Sequence, residues 1–298
     1  MIKIKFKSYW TNKDEEVADV YMKLTKQNDG VWKDLQITLD DDYDFLIVQG
    51  STRVVKEEDY SKIILIQNEP KYYRDTFYVE IFRNKLPCEL DPLFYKVLDI
   101  NRYCALDHWL SGISFAEIEK DHPKSKLMSS VLSSYNSLGF DTGKRIGFAI
   151  NFLNDIPNYH LYGRDNGLFQ HVDSYQGEIG YLMGSISPYK YHYNCENRRE
   201  KNYFTEKITR GILFECLQFY YGCPNITDFI DPRCFIEIDL ENQEKCFEIV
   251  RQTIMDCEWE RRLKYIKRQK EILMNDNNVL NILHNVIETG EFKWKKMD

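Results

Sequence analysis

The chain has 298 residues, 43% of them apolar and 29% charged, with a formal net charge of -7 at pH 7. That length and apolar content suit one large domain or two medium ones, and two are expected. The acidic balance gives no support to a nucleic-acid binder, which needs a basic face, and no apolar run approaches the ~20 residues that cross a bilayer.

The first seven residues, MIKIKFK, alternate apolar and basic side chains and so predict a β-strand rather than the unbroken apolar core of a signal peptide. A soluble, cytoplasmic protein is expected. The eight cysteines, at positions 88, 104, 195, 216, 223, 234, 246 and 257, form no Cys-x-x-Cys pair and no zinc-ligand spacing. Scattered reduced thiols in a reducing compartment follow as the expectation.

Residues 15–26 place Val17, Val20, Tyr21 and Leu24 on one helical face, and short apolar strands are predicted at 35–39, 45–48 and 62–67. Strands this apolar, separated by helix-length segments, argue for a parallel sheet covered on both faces. Ligands of such sheets bind beyond the carboxyl ends of the strands. Asn68, Glu69 and Pro70 follow one such end. Between 71 and 120 the pattern is less regular and rich in aromatics, most of them expected in the core, with a few suited to the C–H faces of a sugar. Residues 121–126, a polar break containing Pro123, mark the passage between domains. The expected division is therefore 1–123, an N-terminal α/β domain; 124–256, a second α/β domain; and 257–298, a C-terminal helical segment.

After that break a second α/β unit is expected. Tyr191 and Tyr193 alternate with His192 and Asn194, which suits a strand ending near Cys195. Ile208, Ile212, Leu213 and Cys216 then recur at helical spacing, with Thr205 as the cap and Glu206 and Lys207 in the first turn. The helix dipole favours Glu206 there and disfavours Lys207, so an anion nearby is expected, and a phosphate would serve. Residues 243–256 and 258–274 predict two more helices, the second with a solvated charged face. Residues 275–298 read as a last helix packed back on the first domain or as a loosely held tail.

Glu196-Asn197, then Tyr203, then Thr205-Glu206-Lys207 resemble the signature of the α1,3-fucosyltransferase family, typically written F-E-N-x(5)-Y-x-T-E-K, with Cys195 in place of the usual Phe. Tyr221-Gly222-Cys223-Pro224-Asn225 and the run from Phe229 to Ile236 resemble that family's Y-G-x-P-N and F-I-P-x-x-S-F-I segments, so that about fifty consecutive residues agree in order and spacing. Residues 126–133 resemble the strand that opens that family's donor domain, residues 142–153 its first helix, and residues 160–166, with Tyr162-Gly163-Arg164, its next strand and Y-G-R turn. Animal members carry an N-terminal Golgi anchor, and this chain resembles instead the soluble microbial or viral type.

The resemblance implies two Rossmann-like α/β domains facing across a cleft, the GT-B arrangement, with an acceptor glycan on the first and GDP-fucose or a related nucleotide sugar on the second. It implies inverting transfer, with Glu69 as the base that takes the acceptor proton, and Glu80 or Glu58 as fallbacks. Arg145 and Lys207 would hold the leaving diphosphate in place of a metal ion, so neither a metal nor a cofactor is expected. Glu206 would bind the ribose or the sugar, and Asn197 and Tyr203 would contact the donor. A retaining mechanism is weakened by Glu206 and Glu215, which are separated by eight residues where seven is usual. Two readings stay open: another donor sugar, since Cys195, Arg198 and Arg199 depart from the motif, and a non-catalytic nucleotide- or carbohydrate-binding protein.

Overall fold

The computed structural model describes residues 1–8, 11, 13–49, 60–67, 96–99, 112–134, 141–291 and 293–297. The chain divides into two compact units, Met1–Glu119 with Met274–Trp294, and Lys120–Leu273 with Lys295–Asp298.

The first unit contains β1 (Ile2–Ser8), α1 (Asp14–Met22), β2 (Val31–Trp32), β3 (Leu35–Ile37), β4 (Phe45–Gln49), β5 (Ile63–Gln67), β6 (Lys96–Asp99) and α2 (Phe115–Glu119). Its sheet runs β2-β3-β1-β4-β5-β6, parallel except for the β2–β3 hairpin. Ile4, Phe6, Leu46, Ile47, Val48 and Ile63 to Ile66 are all buried, as expected of parallel strands covered on both faces. The acidic first turn of α1, Asp14 to Glu16, complements its dipole. Its Tyr21 ring stacks on Phe6, with centroids 3.9 Å apart, and its hydroxyl donates to Gln49 Oε1 at 2.9 Å.

The helix predicted over 15–26 stops at Met22. Thr25 Oγ1 donates to Met22 O at 2.7 Å and accepts from Gly30 N at 3.3 Å, replacing a further helical turn with a loop. The C-terminal helix Val279–Thr289 belongs to this unit, where Asn278 Nδ2 donates to Leu24 O at 3.2 Å and Trp32 Nε1 to Asn281 Oδ1 at 3.4 Å. Asn278 caps its start and Gly290, at φ 76°, its end. Of the two expectations for this segment, the packed helix is the one observed.

The second unit contains β7 (Lys126–Val131), α3 (Thr142–Asn151), β8 (Tyr159–Tyr162), α4 (Leu182–Ile186), β9 (Tyr189–Cys195), α5 (Glu206–Leu213), β10 (Leu217–Tyr221), β11 (Phe235–Glu237), α6 (Gln243–Met255) and α7 (Glu258–Met274). Its sheet is wholly parallel in the order β11-β10-β9-β7-β8. Counted from the first strand of each unit, and setting the β2 hairpin aside, both sheets have the doubly wound order 2-1-3-4-5. The expected pair of α/β units with largely parallel sheets is therefore present.

Helix α5 ends at Leu213, although the apolar spacing runs on to Cys216. Glu215 takes the left-handed conformation (φ 61°), Glu215 N donates to Ile212 O at 2.9 Å and Cys216 N to Gly211 O at 2.8 Å. This is a Schellman stop with a glutamate where glycine is usual. Gly163 sits at φ 134°, where an added Cβ would lie 1.6 Å from Leu132 O, so the turn after β8 admits only glycine.

Candidate functional site

In a doubly wound sheet the ligand crevice lies beyond the carboxyl ends of the strands, where the strand order reverses. In the second unit that point falls between β7 and β9. Helix α3 follows β7, and the loop carrying Glu196 and Asn197 follows β9 and leads into α5. The topology thus gathers Arg145, Asn197, Glu206 and Lys207 at one place.

Glu196 is the anchor. It is fully buried, and its carboxylate accepts from Thr205 N at 2.9 Å and from Thr205 Oγ1 at 2.7 Å, fixing the residue that caps α5. Lys207 Nζ lies 3.4 Å from Glu196 Oε2 and 3.4 Å from Glu206 Oε1, and donates to Thr205 Oγ1 at 3.0 Å. Burial weighs against the ammonium, and Arg145 and Arg210 repel it, but Glu206 and Glu196 outweigh them and raise its pKa above the ordinary lysine value. Burial alone would raise the Glu206 carboxyl; Lys207 and Arg210 instead hold it well below the usual carboxylate range. The anion expected beside Lys207 is therefore supplied in part by the chain itself.

Arg145 is buried in the first turns of α3. Its Nη1 donates to Asn197 Oδ1 at 2.7 Å and reaches Cys195 O at 3.5 Å, whereas its Nε–H is buried with no acceptor among the described residues. The side chain of Asp141, which precedes the helix, makes no capping bond to it; its Oδ2 accepts from Arg199 N at 3.3 Å. A helix start without a side-chain cap, a buried guanidinium with a spare donor, and an ammonium in the first turn of α5 together suit an anion with several oxygens.

Asn197 thus orients Arg145, and Tyr203 is buried. Glu69, with its fallbacks Glu58 and Glu80, lies outside the described residues. Cys195 is also buried, and burial pushes its thiol up to about 12. Its replacement of the usual Phe is a change of packing on the sheet. Arg198 and Arg199 keep about a third and a half of their side chains accessible.

Three positions within the quoted motifs support the site without having been marked as part of it. Glu196 is one. Gly222 is another, because a Cβ there would lie 2.5 Å from both Glu196 Cγ and Tyr220 Oη. Asn225 is the third: its Oδ1 accepts from Asn202 N at 2.8 Å and its Nδ2 donates to Asn202 Oδ1 at 2.9 Å, clamping the loop before α5. Their signal was present as motif letters, but spacing alone does not distinguish a buried support from a ligand contact.

Among the described residues no helix is long and apolar enough to cross a membrane. No protein-family model and no curated protein matches the chain. Among solved structures it is similar to an α1,3-fucosyltransferase with GDP, at 14% identity over 98% of this chain and 91% of that one, with a TM-score of 0.45. It is also similar to a glycosyltransferase from Rickettsia africae ESF-5 (10% identity, 97% and 99% covered, TM-score 0.48) and to sucrose-phosphate synthase from Thermosynechococcus elongatus (10%, 84% and 75%, 0.49). The first of these bears the name of the family that the motif at residues 196–207 resembles.

Proposed function

We propose that the chain is an inverting glycosyltransferase that moves fucose from GDP-fucose to a hydroxyl of a glycan, forming an α1,3-type linkage. The observation that carries this reading is the pair of cations at the strand-order reversal, with the buried Nε–H of Arg145 lacking an acceptor among the described residues. A diphosphate would supply that acceptor and form charge-assisted bonds with both Arg145 and Lys207.

In the proposed reaction the acceptor oxygen attacks the anomeric carbon from the face opposite the diphosphate. The bond from that carbon to the diphosphate oxygen breaks, its electron pair leaves with GDP, and the acceptor proton passes to the Glu69 carboxylate. Arg145 and Lys207 stabilise the charge that grows on the leaving oxygen. Glu206, kept ionised by its two cationic neighbours, binds the ribose or steadies positive charge on the sugar. Of the three residues that depart from the motif, Cys195 is buried on the sheet, which leaves Arg198 and Arg199 as the reasons for considering a different donor.

Thermal unfolding against GDP, GDP-fucose, GDP-mannose, UDP and UDP-sugars, without added Mg²⁺ or Mn²⁺, tests the donor. A ligand at a hundred times its Kd adds about 2.7 kcal/mol of stability. GDP and GDP-fucose are expected to raise the midpoint; a response to uridine nucleotides alone would overturn the donor assignment. Glu69→Ala is expected to lower turnover by about 10²–10⁴ while leaving the GDP response intact. A chain that binds GDP-fucose but shows no turnover across a panel of fucose acceptors would be a binding protein instead.

A further inference from the structure

The first unit holds a second cluster of ligating side chains, independent of the proposed reaction. Asp34 stands in the two-residue turn between β2 and β3, and the C-terminal helix Val279–Thr289, α8, carries His284 and Glu288 one turn apart on the same face. One ligating atom from each of the three lies within 4.8 Å of the others.

Two contacts define the chemistry. His284 Nε2 lies 2.8 Å from Asp34 Oδ1, yet that oxygen is buried and receives no hydrogen bond from the described residues, so the ring N–H direction misses it. On the other side of the ring, Nδ1 faces the acceptor Asn285 Oδ1 at 3.4 Å. With Nδ1 donating there, Nε2 would be left free to bind a metal. A cation held between Nε2 and Asp34 Oδ1 would give both atoms a partner. One imidazole and two carboxylates match the donor set of Zn²⁺, at about 2.0–2.2 Å per ligand, better than the all-oxygen sets of Mg²⁺ and Ca²⁺.

We propose that Asp34, His284 and Glu288 bind a divalent transition metal of the Zn²⁺ type, which clasps α8 to the β2–β3 turn. Glu288 is exposed, so the remaining coordination position faces solvent.

The full chain, stripped with a chelator and then freed of it, should be titrated with Zn²⁺ and separately with Mg²⁺ by calorimetry, with thermal midpoints recorded alongside. One Zn²⁺ per chain and a raised midpoint are expected with Zn²⁺, and no shift with Mg²⁺. His284→Gln and Glu288→Gln should each weaken Zn²⁺ binding at least tenfold, the loss known for removing partners one layer further out. Because Glu288 is exposed, its variant should keep the metal-free midpoint, which separates lost binding from lost folding. No Zn²⁺ uptake would mean a plain His284–Asp34 ion pair and would overturn the proposal. Unchanged Zn²⁺ uptake in both variants would place the metal elsewhere, for instance on the exposed Cys257, and overturn it equally. A Mg²⁺ response equal to that of Zn²⁺ would refute the metal class. The GDP response of the stripped chain should be unaltered, so failure here is distinct from failure of the donor assignment.

Discussion

Among the described residues of the second unit, Lys270 and Lys207 both meet glutamates, and their contacts are built differently. At the far end of α7, Lys270 Nζ donates to Glu215 Oε1 at 2.8 Å and to Lys120 O at 2.8 Å, with side-chain exposures of 7% and 5% for the pair. At the crevice, Lys207 stands 3.4 Å from each of two carboxylates and keeps 23% of its side chain accessible, while its partner Glu196 is fully buried. Burial is the largest influence on both ammonium groups. It prevails at Lys270, lowering the pKa, and is overcome at Lys207, where two carboxylates raise it. A lysine closed off by short bonds is a staple; a loosely held, partly open one with Arg145 and Arg210 beside it is a cation that can meet an anionic ligand.

The comparison breaks most sharply at the staple. Lys270→Met should cost about 3–5 kcal/mol, because it leaves Glu215 buried and uncompensated. Urea denaturation measures that loss, and GDP affinity should not change where the variant is folded. Replacing both partners, Lys270→Met with Glu215→Leu, should recover most of it. Lys207→Met should behave in the opposite way, with turnover falling by about 10²–10³ and GDP affinity falling with it. Equal losses of stability and equal effects on GDP binding in the two variants would erase the distinction.

Smaller in effect is Gly222→Ala. Its Cβ would meet Glu196 Cγ and Tyr220 Oη at 2.5 Å, and overpacking of this kind costs typically 1–3 kcal/mol. Displacement of Glu196 would loosen the Thr205 cap and Lys207 together, so GDP binding should weaken beyond what the stability loss explains. Binding that merely tracks the folded fraction would mean that Glu196 does not position the site.

The motif at residues 196–207 lies at the crevice, and the parallel sheets were readable from short apolar strands punctuated by helix-length segments. Residues 258–274 match the observed α7 end to end, since a long periodic run leaves little ambiguity. Four features were not readable, each for a physical reason. The β2 strand, two residues long, is too short to show alternation. The stop of α5 uses a glutamate at positive φ, so the glycine that ordinarily signals a helix end is missing. The partner of Lys207 comes from the exit of β9, and a helix-dipole argument confined to α5 sees only the uncompensated lysine. Asp34 and His284 meet only through the packing of α8 on the hairpin, which no local spacing announces.

The finest test of the comparison is the alkaline limb of stability. Lys207 has a folded pKa above its ordinary 10.5, so its contribution is complete below 10.5 and is lost as pH rises through the folded value. Lys270 has a folded pKa below 10.5, so in the window beneath 10.5 the unfolded chain binds more protons than the folded one, and the Lys270 contribution grows as pH rises. Urea midpoints of the parent chain, Lys207→Met and Lys270→Met, taken from about pH 8 to pH 11, give each contribution by difference. The Lys270 difference should rise with pH before the Lys207 difference begins to fall. The acid limb supplies the matching control, because Glu206 is depressed below its ordinary 4.5 and its contribution should fade only as pH drops below that value, a fall that Glu206→Gln should abolish. Parallel alkaline slopes for the two lysines would show that burial governs both alike, and the difference between staple and ligand-ready cation would then rest on geometry alone.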